Sequence, residues 1–272
     1  MEANEKKYSE YLKDKHIVLV GPALYLAGQC RGGEIDKFDV VVRMNNTFSV
    51  VEQHKDDIGS RLDVLYLNFH AKFYPQRNDI ARWAKKEMQY IITQGALRSS
   101  RVQQLDYANN GLISIVSMGN IRNLISREVE KRPNMGLIAI IHLLTFPIKT
   151  LTVMGCDFYQ TGYVSGYRGM DDEGAKKAKD DQHKHDMPSQ IEYLSGIWQV
   201  DDRLVVDDNL RFLLSNKNMI NQQEYIKKIN QIKNSIRKNN DIIKNKPHRT
   251  PIGRNVQKKL PEKYVWRKGG FT

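Results

Sequence analysis

Short apolar runs recur along the chain, and each is closed by a glycine or a side-chain amide. Residues 17–20 (Ile-Val-Leu-Val) stop at Gly21-Pro22, residues 38–43 run into Asn45-Asn46, and residues 62–67 end at Asn68. Further runs stand at 90–93, 112–116 and 150–155. Unbroken β-branched runs of this length are expected of strands buried on both faces. Helical spacing lies between them, at 1–15, at 78–88 behind Asn78 as N-cap, and at 120–131 with Ile121, Leu124, Ile125 and Val129 on one side. It returns at 134–144 and 188–199, while 201–208 reads as a short extended segment and the stretch holding His54 to Gly59 reads as a loop. Strands alternating with helices predict an α/β domain with a mostly parallel sheet flanked by helices.

In such a sheet, the end of a strand in a glycine turn is where ligands bind. The first two strand ends would offer backbone N–H groups, Arg43 and the amides of Asn45 and Asn46 to one ligand, which suits a nucleotide. Asn68 is a further amide at the edge. The helix entered through Asn134 and Gly136 has a first turn stripped of bulk, so a ligand could approach its free N–H groups and the positive end of its dipole. His142, on the same helix, reads as a packed side chain.

The length, 272 residues, suits one large domain or a domain with an appendage. The net charge of +12 is uneven: from about residue 217 the chain turns to Lys, Asn, Gln and Ile. Apolar spacing there predicts a basic amphipathic helix over 217–246. The rest, 247–272, is a basic tail with Tyr264, Trp266 and Phe271 interleaved, suited to an anionic membrane surface, a partner protein, or disorder. Residues 1–216 are then the α/β domain. The two cysteines, Cys30 and Cys156, are not in metal-ligand spacing, and two free thiols in a reduced compartment are expected. No stretch approaches the ~20 apolar residues of a membrane span and no secretory signal is visible, so a cytoplasmic protein, at most peripheral to the membrane, is expected.

Three stretches share the order and spelling of a known family. Val18-Leu19-Val20-Gly21, Gly33-Glu34-Ile35-Asp36, Phe38-Asp39 and Arg43-Met44-Asn45 resemble the large motif of the animal-type sialyltransferases, with a bacterial or viral member the nearest type. Pro133-Asn134-Met135-Gly136, followed by a strand ending in Met154-Gly155, is similar to their small motif. His185 to Gln190 resembles their very short motif, H-x4-E. Three positions depart from the pattern: Pro22 stands where the family has an asparagine, Asn134 where it has a hydroxyl residue, and Gln190 where it has the glutamate. The cysteines do not fall where the animal enzymes place their disulfide.

The resemblance implies a Rossmann-like domain of the variant glycosyltransferase A type. It implies inverting transfer of a 2-keto sugar acid, sialic acid or Kdo-like, from a CMP-sugar donor to a glycan hydroxyl, with His185 as general base. Gly21, Pro22, Ala23, Asn45, Asn68, Asn134, Gly136, Gly155, Asp157 and Tyr159 would hold the nucleotide. No metal or other cofactor is expected: the chain has no Asp-x-Asp, and the doubled aspartates at 201–202 and 207–208 are not in that pattern. His183 and His185 could equally decorate a polar loop. Tyr159, Tyr163 and Tyr167 could contact phosphate or sugar, or only pin a long loop over 162–181 that has the character of a lid. Two other readings stay open, a non-catalytic nucleic-acid or anionic-surface binder on an α/β domain and a degenerate transferase that binds nucleotide without turnover.

Overall fold

The apolar runs form seven strands of one sheet: β1 (His16–Val20), β2 (Val40–Met44), β3 (Val64–Leu67), β4 (Tyr90–Thr93), β5 (Ser114–Ser117), β6 (Thr150–Met154) and β7 (Leu204–Val206). Their order is β5-β4-β3-β2-β1-β6-β7, and every neighbouring pair is parallel. The sheet predicted as mostly parallel is parallel throughout. The computed structural model describes residues 2–68, 82–86, 88–94, 111–167 and 184–215. These residues belong to the first of two compact units, Met1–Ile236 and Arg237–Thr272.

Period-2 geometry sends alternate side chains of β1 to opposite faces. Ile17 and Leu19 pack in the larger core with Tyr8 and Leu12 of α1 (Glu2–Leu12) and with α5 (Met135–Leu144) and α6 (Met187–Val200). Val18 and Val20 face Ile35 of α2 (Gly32–Ile35) and Ile58 of α3 (Val51–Ile58). Because both faces are covered, the strands carry continuous apolar runs. Helix α5 is buried along nearly its whole length, with Gly136 its one half-exposed residue, as its apolar sequence requires.

Several boundaries differ from expectation. The stretch read as a loop around His54 is helix α3, irregular at His54 (φ −118°, ψ 20°), and too short for periodicity to reveal it. Helix α4 (Ile121–Ile125) stops early: Ser126 bonds to the Arg122 carbonyl through both its N–H (2.9 Å) and its hydroxyl (2.8 Å), and the next N–H groups turn to i−3 carbonyls, Arg127 to Leu124 at 3.2 Å and Glu128 to Ile125 at 2.9 Å. The charged end of the predicted extended segment opens α7 (Asp208–Ser215), with Asp207 Oδ1 accepting from Leu210 N–H at 2.9 Å. Residues 82–85 are helical, in agreement with part of the helix predicted at 78–88. Most of the 162–181 segment, His183, the stretch 217–246 predicted as a helix and the 247–272 tail lie outside the described residues.

Both cysteines are free, Cys30 exposed and Cys156 half-buried. Among the described residues no helix is long and apolar enough to cross a membrane.

Candidate active site

The strand order reverses at β1, which has β2 on one side and β6 on the other. At such a switch point the loops leaving the two strands diverge and open a crevice at the carboxyl edge. A cavity of about 510 Å³ lies there, within the range of small-ligand sites. Of the predicted nucleotide-binding residues it gathers Pro22 and Ala23 after β1, Asn45 and Asn68 after β2 and β3, Asn134 and Gly136 on α5, and Gly155, Asp157 and Tyr159 after β6. His185 lines the same cavity.

Gly21 is the exception, and geometry explains it. A Cβ there would lie 2.1 Å from the Gly155 carbonyl oxygen, and one on Gly155 (φ +71°) would lie 2.6 Å from the Gly21 carbonyl oxygen. The two glycines let the ends of β1 and β6 meet backbone to backbone, and Gly21 serves that contact rather than the lining. Gly155 is further fixed by its N–H, which donates to the Tyr25 hydroxyl (2.7 Å) and to Asp207 Oδ2 (3.2 Å). Tyr25 in turn donates to Asp207.

Arg43, expected to reach the ligand, points the other way. Its side chain is fully buried and donates to the carbonyls of Ile58 (2.8 Å), Gly59 (2.9 Å) and Arg61 (2.7 Å). Burial lowers its pKa to about 10, against the pull of Asp36 and Asp63. Asp36 accepts from Ser60 and Arg61 N–H on the same turn, where Gly59 has φ +78°. Asn45, in the left-handed region at φ 48°, laces two strand ends by accepting from Asn68 N–H at 3.1 Å. Asn46 donates to the Tyr167 carbonyl at 3.1 Å.

Asn134 is the N-cap of α5, its Oδ1 accepting from Leu137 N–H at 2.8 Å. Asp157 holds a turn: its carboxylate accepts the Thr161 N–H (2.8 Å) and hydroxyl (2.5 Å), while Phe158 and Tyr159 between them sit at φ 51° and 68°. Burial raises its pKa. Beyond it Tyr159, Tyr163 and Tyr167 pack in file, centroids 5.9 and 4.8 Å apart. Tyr159 also stacks on the His185 ring at 5.9 Å with 19° between planes, so the tyrosines pin their segment and line the cavity at once.

His185, in the turn before α6, makes the bond that decides its chemistry: Nδ1 lies 2.6 Å from the Arg132 carbonyl oxygen. A carbonyl only accepts, so Nδ1 carries the hydrogen and Nε2 keeps its lone pair. Burial lowers the pKa of the ring, helped by the charges of Arg132 and Lys184 and opposed by the bond to the carbonyl. His142 is packed, as its place on α5 suggested. It is hydrogen-bonded through Nδ1 to the Tyr66 hydroxyl at 2.8 Å, and burial pulls its pKa down to about 3.

Among the described residues that line it, the one carboxylate is Asp157, against two cations, Arg132 and Lys184. The late aspartates are engaged elsewhere, Asp201 with Arg203 (2.7 Å) and Asp207 with Tyr25, Gly155 and the start of α7. Among the described residues no group of three or more acidic, histidine or cysteine side chains gathers in a metal-holding arrangement.

Residues 4–105 match the family model described as glycosyltransferase family 29 (sialyltransferase). The chain is sialyltransferase-like. The matched span holds the large-motif stretch, and the cavity joins to it Asn134, Gly136 and His185, which lie beyond the span. Among solved structures, this sialyltransferase-like chain is similar to a mammalian sialyltransferase in complex with Gal-beta-1-3GalNAc-ortho-nitrophenol, at 16% identity over 73% of this chain and 71% of that one, TM-score 0.47. It is also similar to the sialyltransferase CstII from Campylobacter jejuni in complex with cytidine-5'-monophosphate, at 14% identity over 76% and 89% of the two chains, TM-score 0.46. No curated protein matches the sequence.

The residue that sequence reasoning undervalued is Gln190. It is fully buried, accepts from Asn134 N–H at 2.9 Å and donates to the Arg132 carbonyl at 3.3 Å. Its departure from the motif was the available signal. Arg132 contributes a main-chain oxygen, and side-chain identity signals nothing of that kind.

Proposed function

We propose that the protein is an inverting, metal-independent glycosyltransferase that moves a 2-keto sugar acid, sialic acid or Kdo-like, from its CMP-activated form to a glycan hydroxyl. The observation that carries the reading is the His185 ring in the lining of the switch-point cavity, with Nδ1–H spent on the Arg132 carbonyl and Nε2 left to accept a proton. As the acceptor oxygen attacks the anomeric carbon, Nε2 takes the hydroxyl proton and the bond to the CMP phosphate oxygen breaks. The N-terminus of α5, behind Asn134 and Gly136, favours the negative charge that develops on the departing phosphate. Asp157, the one carboxylate among the described lining residues, has its Oδ2 taken up by the Thr161 N–H and hydroxyl, which suits a site that works through a base rather than a carboxylate nucleophile. Arg132 and Lys184 suit a donor that carries both a phosphate and a carboxylate.

The test is a thermal-shift series on the full chain with CMP, UMP, AMP and GMP, with and without Mg²⁺, followed by transfer assays with CMP-sialic acid and CMP-Kdo. A ligand at a hundredfold excess over its Kd stabilises the folded state by about 2.7 kcal/mol. Selective stabilisation by CMP, unchanged by the metal, is the expected result. Indifference to every nucleotide would overturn the donor assignment and turn attention to polyanion binding by residues 217–272.

A further inference from the structure

The bonds that hold His185 and the start of α5 converge on one side chain. Gln190 sits in the first turn of α6, with none of its surface exposed. Its Oε1 accepts from Asn134 N–H (2.9 Å) and its Nε2 donates to the Arg132 carbonyl (3.3 Å), the same oxygen that receives His185 Nδ1–H at 2.6 Å. The turn bearing Gln190 is itself fixed, because Asp186 Oδ2 accepts from Ser189 N–H (2.8 Å) and Ser189 Oγ accepts from Glu130 N–H (3.3 Å). The partners leave no freedom in the amide: a main-chain N–H demands an acceptor and a main-chain carbonyl demands a donor. A glutamate carboxylate, which the motif resemblance would place here, could serve Asn134 but could not donate to Arg132.

We infer that Gln190 is a positioning residue that holds the His185 ring and the N-terminal cap of α5 in fixed relation through the Arg132 carbonyl, so that proton acceptor and phosphate site are set by one buried amide. The inference rests on the proposed function for its catalytic meaning, but the geometry it asserts can be read without turnover. A ring misplaced by about 1 Å can cost on the order of a hundredfold in rate, so a clamp of this kind has a measurable consequence. Among the described residues, the charged and titratable groups around the ring are the Arg132 guanidinium, the Lys184 ammonium, the neighbouring Asp186 carboxylate and the stacked Tyr159 phenol.

The experiment is a ¹⁵N NMR titration of the full chain with labelled histidine, the His185 resonance being assigned by its loss in His185→Ala, on wild type, Gln190→Leu and Gln190→Glu. Wild type is expected to show the Nδ1–H tautomer. Gln190→Leu should mix the tautomers and lower kcat at saturating donor by about tenfold or more while raising donor KM. Gln190→Glu puts a negative charge beside the ring, so His185 should titrate higher than in wild type and the acid limb of the pH–rate profile should move up with it. If both variants only lose thermal stability, with the His185 tautomer and titration as in wild type, the inference is overturned. If Gln190→Leu fails to fold, Gln190→Glu alone decides by the same readout. Should the ring respond as expected while His185→Ala keeps full transfer activity, the positioning role stands and the assignment of His185 as base falls.

Discussion

The two best-spelled stretches of this chain use their polar side chains in opposite ways. In the large-motif region, Asp36 and Arg43 spend their hydrogen bonds on the main chain of the 58–61 turn and show nothing to a ligand. Around α5 and α6, His185 and Asn134 are also held by main-chain bonds, yet both remain in the lining of the cavity. A motif therefore marks what cannot change, and that can be scaffold as easily as chemistry. At Asp36 and Arg43 a substitution should cost folding; at His185 it should cost turnover, and Asn45, the large-motif residue that lines the cavity, belongs with the second group.

The largest expected effect tests this division directly. His185→Ala should lower kcat by about 10²–10⁴ while CMP-induced stabilisation persists, measured by transfer rate and thermal shift on the same preparation. Arg43→Met should do the reverse. It orphans the buried carbonyls of Ile58, Gly59 and Arg61, each worth about 1–3 kcal/mol, so chemical denaturation should show a loss of at least ~3 kcal/mol. Full activity of whatever folded Arg43→Met remains would sharpen the comparison, and a wild-type denaturation midpoint would break it.

The glycines divide along the same line. Gly21→Ala sets a Cβ 2.1 Å from a main-chain oxygen and should unfold the protein or lower its Tm sharply. Gly136→Ala brings a Cβ to 3.2 Å from Asn134 Oδ1 with the Met44 side chain beyond 3.7 Å, so it should fold with at most a small change in Tm as the Asn134 amide gives way, while raising donor KM. Equal Tm losses in the two variants would break the distinction.

The smallest effects are in pH. Because burial keeps His142 neutral down to about pH 3, the unfolded chain binds a proton from about pH 6.5 downward while the folded chain does not. Stability should therefore fall on acidification through that window, and His142→Gln, which can still bond to Tyr66, should flatten the dependence seen in denaturant titrations. The lowered pKa of His185 acts on catalysis instead: kcat should hold steady through neutral pH and decline only below the ordinary histidine range.

Much of the fold was legible because buried parallel strands leave unbroken apolar runs, and all seven strands lie within such runs or beside them. Helix α3 and the true end of α4 were not legible: α3 is short and irregular at His54, and α4 ends where its N–H groups turn to i−3 carbonyls, a main-chain change that side-chain spacing does not reveal. The cavity lining could be anticipated from strand ends, where glycines and amides mark the carboxyl edge. The direction of Arg43 could not, because an arginine at the end of a strand has the same letter whether it faces a ligand or a turn. Nor could the Gln190 clamp, whose partners are main-chain atoms of a segment more than fifty positions away in the chain.

The contact between Gly21 and Gly155 also sets what can be altered. Two glycines touching through their backbones form a seam with no room for any side chain, so a library aimed at another donor sugar should leave the seam alone. Diversity belongs in the Tyr159, Tyr163 and Tyr167 file, where side chains rather than main chain meet the cavity and one ring can be exchanged without parting the strands beneath it.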